Sequence, residues 1–586
     1  VGPVTHGRAR RVRLATLAAG ATAVLGVAAG CAGLPSSTTP QVIDVFAPSA
    51  TQSSVPTPVP DQEPDLLVRD FLKASGIADQ RHAAARQFLT PRTAASWDDT
   101  PSTTVVLRAD VVAAGPRTED RAVYALHADK VGTLDPGGIY REETGRLDLE
   151  LQLQRVDGQW RIDELPAGVV LERSDFFANY SQSDLYFLSS SHTELVPDPR
   201  WTSVHRQDLG YALVNLLANG PRAELTPGVT SRIPTSVTVR PNESGSGPNS
   251  DGTTIDFQGL PVLGSQETRE FAAQVVWTLA HAGVPAPYRL ERGGSPVDER
   301  HADGWNSVDV AEFAPGTDTP GLDTTLTAAD GLVRVGPDGV RPAGTAWSAV
   351  RGGRGGALSR DGRTVAVVTG ESGASRSALL MGPADGAGEQ VLEAGSLTVP
   401  SFEPVDGAAW LVVDGRRLVG VRPGGGRQAV TEYDESVLRS VEGAVTDLKV
   451  DGTGSRFALV AKGGVYVGTI RAEDHRPMPG TLRRIGRGLH DTARSVAWLD
   501  PGTVAVGRDS AEAPVVSLSV DGALTEPLSQ RNIAAPVDAL ATAGKDVYAV
   551  DQRSLLRLDT AADTGERYWR EVPGLAAIRA YPVVRG

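Results

Sequence analysis

One cysteine, Cys31, occurs in 586 residues, so no disulfide can form within the chain and packing alone must hold each fold together. Lysine is nearly as scarce, at Lys73, Lys130, Lys449, Lys462 and Lys545, and arginine supplies the rest of the 57 basic residues. With abundant alanine and glycine, this bias reads as a GC-rich genome and carries no chemistry. Acidic residues number 71, giving a formal charge of −14; leaving out residues 1–30, which hold four arginines and no acid, makes it −18. Phosphate binding needs a basic face, so the balance argues against nucleic acid and against a polybasic grip on anionic lipid.

Catalytic signatures are missing as well. There is no Gly-x-Ser-x-Gly turn to raise a nucleophile, no Ser-x-x-Lys and no His-Glu-x-x-His. Gly544-Lys545 lacks the glycine spacing and the following Ser/Thr of a phosphate loop, and Gly352-Gly353-Arg354-Gly355-Gly356 is expected to be a loop ahead of a strand. His82, His205, His281, His301 and His490 do not pair at ligand spacing, so solvated or structural roles are expected of them. The expectation is no catalytic residue, no metal and no cofactor.

Cys31 itself follows a basic head (Arg8, Arg10, Arg11, Arg13) and an apolar run from Leu14 to Ala29. The segment Val27-Ala28-Ala29-Gly30-Cys31 resembles a lipobox, in which small residues fit the signal-peptidase groove and the thiol receives a diacylglyceryl group. An ordinary secretory signal and an uncleaved anchor are the alternatives. The run is short and Ala/Gly-rich against the about 20 strongly apolar residues of a stable span. Residues 1–30 are therefore expected to be a lipoprotein signal peptide, Cys31 the lipidated residue, and Pro/Ser/Thr-rich residues 31–60 a tether. Such a tether reaches between about 30 Å as a coil and about 90 Å as extended polyproline.

Three folded parts follow, a multidomain α+β and all-β arrangement. Over 61–178, Leu66, Leu67, Phe71 and Leu72 recur at helical spacing, and Ala84, Phe88 and Leu89 mark a second helix stopped before Pro91. Strands are expected at 103–112, 121–128, 147–154 and 159–163, with a hairpin turn at Val156-Asp157-Gly158-Gln159 and Trp97 and Trp160 in the core. This order resembles the nuclear-transport-factor-like cone. Over 179–318, a helix carrying Leu209, Leu213, Leu216 and Leu217 ends at Gly220-Pro221. Strands at 237–239 and 255–257 come next, and then a helix capped by Ser265 with Phe271, Val275, Thr278 and Leu279 on one side. That order resembles the GerMN domain.

From 325 to 586 a strand-turn-strand unit recurs, with Leu358, Phe402, Leu448, Trp498 and Leu540 in equivalent places. The spacing suits one four-stranded propeller blade per repeat. Asp361-Gly362, Asp406-Gly407 and Asp451-Gly452 are expected to be the tight turns. Five blades are visible, and a sixth is expected from the chain ends, with Leu332 to Val335 near Ala576 to Val583, giving a propeller of five to six blades.

Together with Cys31-Ala32-Gly33-Leu34-Pro35-Ser36-Ser37, Arg81-His82-Ala83-Ala84-Ala85-Arg86 and Phe88-Leu89-Thr90-Pro91, this order of parts resembles the LpqB family over nearly the whole chain. The resemblance implies an actinobacterial envelope lipoprotein on the extracytoplasmic face of the cell membrane. It further implies binding to the sensor histidine kinase MtrB, with an influence on signalling to the regulator MtrA and so on cell envelope and division. It supplies no catalytic residue, and only Cys31 carries over. A propeller-based glycan-binding protein or envelope hydrolase is the alternative. Convergent His, Arg and carboxylates in the funnel would favour the alternative, and a small, apolar funnel the interaction protein.

Overall fold

The computed structural model describes residues 1–2, 55–241, 252–316, 324–328, 331–336, 339–343, 346–370, 376–424, 430–473, 476–562, 567–575 and 578–585. The lipobox-like segment, Cys31 and most of the tether lie outside them. Residues 56–586 form one compact unit. Among the described residues no helix is long and apolar enough to cross a membrane.

The first part packs helices α1 (Pro64–Ser75), α2 (Asp79–Arg86) and α3 (Pro91–Ser96) against a sheet. The buried stripe of α1 is Leu67, Val68, Phe71 and Leu72; Leu66, included in the sequence stripe, points outward at 51% exposure. Pro91 starts a helix as well as ending a stretch, because proline suits the first helical position and the Thr90 hydroxyl accepts the Thr93 N–H. The sheet runs β4-β3-β2-β1-β5, from β1 (Thr103–Ala113), β2 (Arg121–Leu134), β3 (Tyr140–Val156), β4 (Gln159–Glu164) and β5 (Val169–Glu172). Asp157 and Gly158 both take positive φ in the β3–β4 turn, as a two-residue hairpin of the mirror-image type requires. Trp97 and Trp160 are buried.

Helix α4 (Arg173–Asn179) leads into the second part, where two small sheets flank α5 (Leu209–Ala218) and α6 (Ser265–His281). One sheet is β7-β6-β8, from β6 (Ser181–Ser189), β7 (Leu195–Thr202) and β8 (Val229–Thr230). The other is β12-β11-β10-β9, from β9 (Thr238–Pro241), β10 (Thr253–Gln258), β11 (Tyr288–Arg292) and β12 (Ser295–Pro296). Phe271, Val275, Thr278 and Leu279 are fully buried along α6. The cap is Gly264, not Ser265: Glu267 reaches back to accept the Gly264 N–H at 2.9 Å, leaving Ser265 as the first helical residue.

The C-terminal part is a propeller of six four-stranded blades among the described residues. The inner strands are Gly353–Leu358, Ser401–Phe402, Val445–Val450, Ala493–Asp500, Ala539–Ala543 and Tyr581–Arg585. Leu358, Phe402, Leu448, Trp498 and Leu540 lie on the first five. The sixth blade joins the chain ends, but not quite as the sequence suggests. Tyr581–Arg585 pairs directly with Thr324–Ala328, and Leu332 to Val335 belong to the next strand outward.

Two further expectations shift. Gly353–Gly356 lie in the first inner strand rather than a loop; a side chain at Gly356 would sit 2.4 Å from the Ala366 carbonyl oxygen, so only glycine fits there. In the third repeat the left-handed turn residue is Gly454, not Gly452, with Asp451 accepting the Ser455 and Arg456 N–H groups. Asp361 and Asp406 likewise accept turn N–H groups, from Arg363 and Ala408.

The last inner strand is held on both edges, antiparallel to Thr324–Ala328 and parallel to Gly353–Leu358. Deleting residues 579–586 removes both ladders at once, so the truncated protein is expected to lose its cooperative melt and become protease-sensitive across blades one and six. An unchanged melting temperature would show that the ring closes without this strand.

Candidate functional site: the propeller channel and its junction

Strand β7 is where the three parts meet. Its sequence, Leu-Val-Pro-Asp-Pro-Arg-Trp-Thr, is buried from Leu195 to Trp201 although it contains two prolines and two charges. It tolerates the prolines because it is an edge strand, paired on one side only with β6. Asp198 is fully buried and accepts hydrogen bonds from Arg200 Nη2 at 2.7 Å, the Arg222 N–H at 2.8 Å and Arg222 Nε at 2.5 Å. Burial pushes its carboxyl up, but the Arg222 and Arg200 guanidiniums outweigh that and hold it at about 2.

The unpaired side of β7 is used for docking. Its Trp201 N–H donates to the Gly138 carbonyl of the first part at 2.8 Å. Trp201 Nε1 donates to Asp521 of blade four at 2.9 Å, and the Pro197 carbonyl accepts from Arg456 of blade three at 2.6 Å. Ala523, beside Asp521, enters the hydrophobic core of the first part. At the same seam, Glu142 of β3 accepts the Arg487 N–H at 2.8 Å, and burial raises its carboxyl.

The junction covers one end of the propeller channel, a cavity of about 980 Å³, near the upper end of the roughly 300–1,000 Å³ typical of ligand pockets. Glu194 and Leu195, at the tip of the β6–β7 hairpin, line that end together with Ala314, Pro315 and Gly316. Glu194 pairs with Arg360, which also donates to the Gly452 carbonyl, tying the tip to two blade turns. At the opposite end, where the inner strands begin, the lining includes Arg354, Asp414, Lys462, Arg494, Asp538 and Arg579. Asp538 receives Arg494 Nη2 at 2.9 Å and Arg579 Nη2 at 2.8 Å.

Between the ends the wall is largely Gly, Ala, Val and Thr, and its polar groups stitch neighbouring blades together. Asp447 accepts Lys449 Nζ at 3.1 Å with one oxygen and the Val496 N–H at 2.9 Å with the other. Trp498 Nε1 donates to the Lys449 carbonyl, and Thr542 to the Trp498 carbonyl. The lining thus matches neither extreme anticipated from sequence. It has arginines and carboxylates, yet no histidine is among its residues, and its inner carboxylate is committed to structural bonds.

The histidines are dispersed. His82 packs on Trp97 with its pKa lowered chiefly by burial, His281 packs near Trp277 and Tyr186, and His301 stacks on Trp305 at 3.6 Å. Among the described residues no group of three or more His, Cys, Asp or Glu side chains is placed to hold a metal ion.

Comparison with known proteins agrees with this three-part architecture. Residues 57–177 match the model of the lipoprotein LpqB N-terminal domain, 184–298 the model described as sporulation and spore germination, and 330–584 the model of the lipoprotein LpqB beta-propeller domain. The class is therefore a lipoprotein built from an α+β head, a germination-type α/β domain and a propeller. A Lipoprotein LpqB from Rhodococcus opacus is 39% identical, with 97% of each chain covered. Those from Nocardia farcinica and Mycolicibacterium smegmatis are 34% and 35% identical, covering 99% and 96% of this chain and 100% and 98% of theirs. The chain belongs to the LpqB lipoprotein family, whose members' name implies lipid-anchored envelope proteins.

One junction group gives the assembly a pH signature. Burial raises Asp184 of β6 to about 6, Asp500 adds repulsion, and Arg456 opposes both. A carboxyl with a raised folded-state pKa binds its proton more tightly folded than unfolded, so stability falls as pH rises between about 4 and 6. Asp184→Asn is expected to remove that loss, stabilising the protein by about 1–3 kcal/mol at pH 7.5 and by much less at pH 4. Urea unfolding at the two pH values checks this; an equal effect at both would contradict it.

Proposed function

We propose that the protein is a lipid-anchored interaction protein on the extracytoplasmic face of the cell membrane, held there through Cys31. It binds the ectodomain of the sensor histidine kinase MtrB and modulates signalling in the MtrA-MtrB system, and through it cell envelope and division. Membership of the LpqB family carries this reading. Its support in the fold is a head, a middle domain and a propeller fixed as one body, which presents broad faces to a partner. Anchoring also confines both partners to one membrane surface, so that modest intrinsic affinity suffices through effective concentration. A tether over residues 31–60 lifts that body from the bilayer.

Cys31→Ala is expected to move the protein out of the membrane fraction and abolish acyl labelling. The compact unit 56–586 is expected to bind purified MtrB ectodomain in calorimetry, and the anchored protein to change kinase phosphorylation in reconstituted membranes. Unchanged labelling would contradict the anchor, and the absence of both binding and any change in phosphorylation would contradict the partner.

A further inference from the structure

Among the described residues, the end of the propeller channel away from the junction, its mouth, carries charge of the opposite sign to the chain as a whole. The protein has a formal charge of −14. The mouth lining has four cations, Arg354, Lys462, Arg494 and Arg579, against two acids, Asp414 and Asp538. Some of this is neutralised locally: Lys462 lies 3.8 Å from Glu442, and Asp414 accepts the Ser396 N–H and lies 3.9 Å from Arg417. Two arginines share the single carboxylate of Asp538, however, and Arg354 is exposed with no ion-pair partner among the described residues.

We propose that this mouth is a docking site for an acidic polypeptide segment, whose carboxylates bind Arg354, Arg494 and Arg579 while its chain enters the channel. Asp538 shows the geometry at work, since one carboxylate already draws a guanidinium nitrogen to each oxygen at 2.8–2.9 Å. Guanidinium groups present several donors in a fixed fork, so each of these arginines has donors beyond those it spends on Asp538. Space for a backbone comes from small residues beside the cations: Gly355, Ala444, Gly463 and Ala493 all line the cavity.

A peptide fits the rim better than an acidic glycan does. Sugar rings are gripped by exposed aromatic faces, and the ring beside the mouth cations, Tyr581, is half-buried and already faced by the Arg579 guanidinium, 5.9 Å from its centroid. Trp498 lies farther in, 8% exposed, with its N–H committed to Lys449. With Glu194 and Leu195 at the far end, the segment enters from the mouth as a loop or terminus. This inference does not depend on the kinase assignment.

The test is fluorescence anisotropy of the full-length protein with a labelled peptide of glutamate and alanine, beside the same peptide with glutamine in place of glutamate. The acidic peptide is expected to bind at least about tenfold more tightly than the neutral one, with binding that weakens steeply as salt rises. R354Q/R494Q/R579Q is expected to raise the Kd at least about tenfold, a loss of roughly 1.4 kcal/mol, while R269Q on α6 leaves it unchanged. R354Q alone removes no ion pair and so guards against misfolding of the triple variant; it is expected to weaken binding severalfold. Equal binding of the two peptides, or an unchanged Kd in R354Q and the triple variant, would overturn the proposal. Displacement of the peptide by polygalacturonate at a lower carboxylate concentration than free glutamate peptide requires would also overturn it, assigning the mouth to an acidic glycan. Kinase binding that persists in the rim variants separates this outcome from the fate of the proposed partner.

Discussion

A buried carboxylate between two guanidiniums sets the arrangement of the rest of the molecule. Asp198 has no access to water, and taking a charge out of water costs several kcal/mol unless its partners are close and well aligned. Arg200 and Arg222 meet that condition only if β7 lies where the middle domain places it. Once β7 is there, its free edge faces the other two parts, and Trp201 and Pro197 supply the donor and the acceptor that bind them. Removing either arginine leaves Asp198 short of a partner at the point where all three folds converge.

The propeller's contribution depends on that junction. A ring of blades has two open ends by construction, and here the middle domain covers one. The β6–β7 hairpin brings Glu194 and Leu195 to the channel while the same hairpin holds the Asp198 network, so covering the channel and fixing the domains are one event. Two Asp-based turns meet β7, one between the inner strands of blade three and one between the outer strands of blade four. Asp451 shapes the turn before Arg456, and Asp521 shapes the turn that receives Trp201. Residues that make blade turns therefore also make the interface.

Much of the fold was legible in the chain because it rests on local signals. The 44-, 46-, 50- and 42-residue spacings from Leu358 to Leu540 place five inner strands, and the Asp157-Gly158 turn and the apolar face of α6 follow from period and turn chemistry. The closing strand was legible in principle but assigned one strand too far out, since Thr324–Ala328 and Leu332 to Val335 are both short and β-prone. Strand β7 was missed. Two prolines and two charges in eight residues argue for a surface loop, and only tertiary partners far away in sequence, Arg222 and Asp521, make those residues a buried edge strand. The charge at the channel mouth was hidden for a similar reason: Arg354, Arg494, Asp538 and Arg579 come from four different repeats and converge only when the ring closes.

If the Asp198 network fixes the three parts as one body, backbone amides on the two sides of the junction must open together. Hydrogen exchange followed by mass spectrometry, on wild type and on Arg222→Met, measures this directly. In the wild type, peptides covering Leu195–Thr202 and residues 520–524 of blade four are expected to exchange at the same slow rate. In Arg222→Met both are expected to speed up together, by a factor consistent with a loss of about 3–5 kcal/mol for a broken buried pair. Fast exchange of β7 in the wild type, or acceleration of one peptide without the other, would contradict the account.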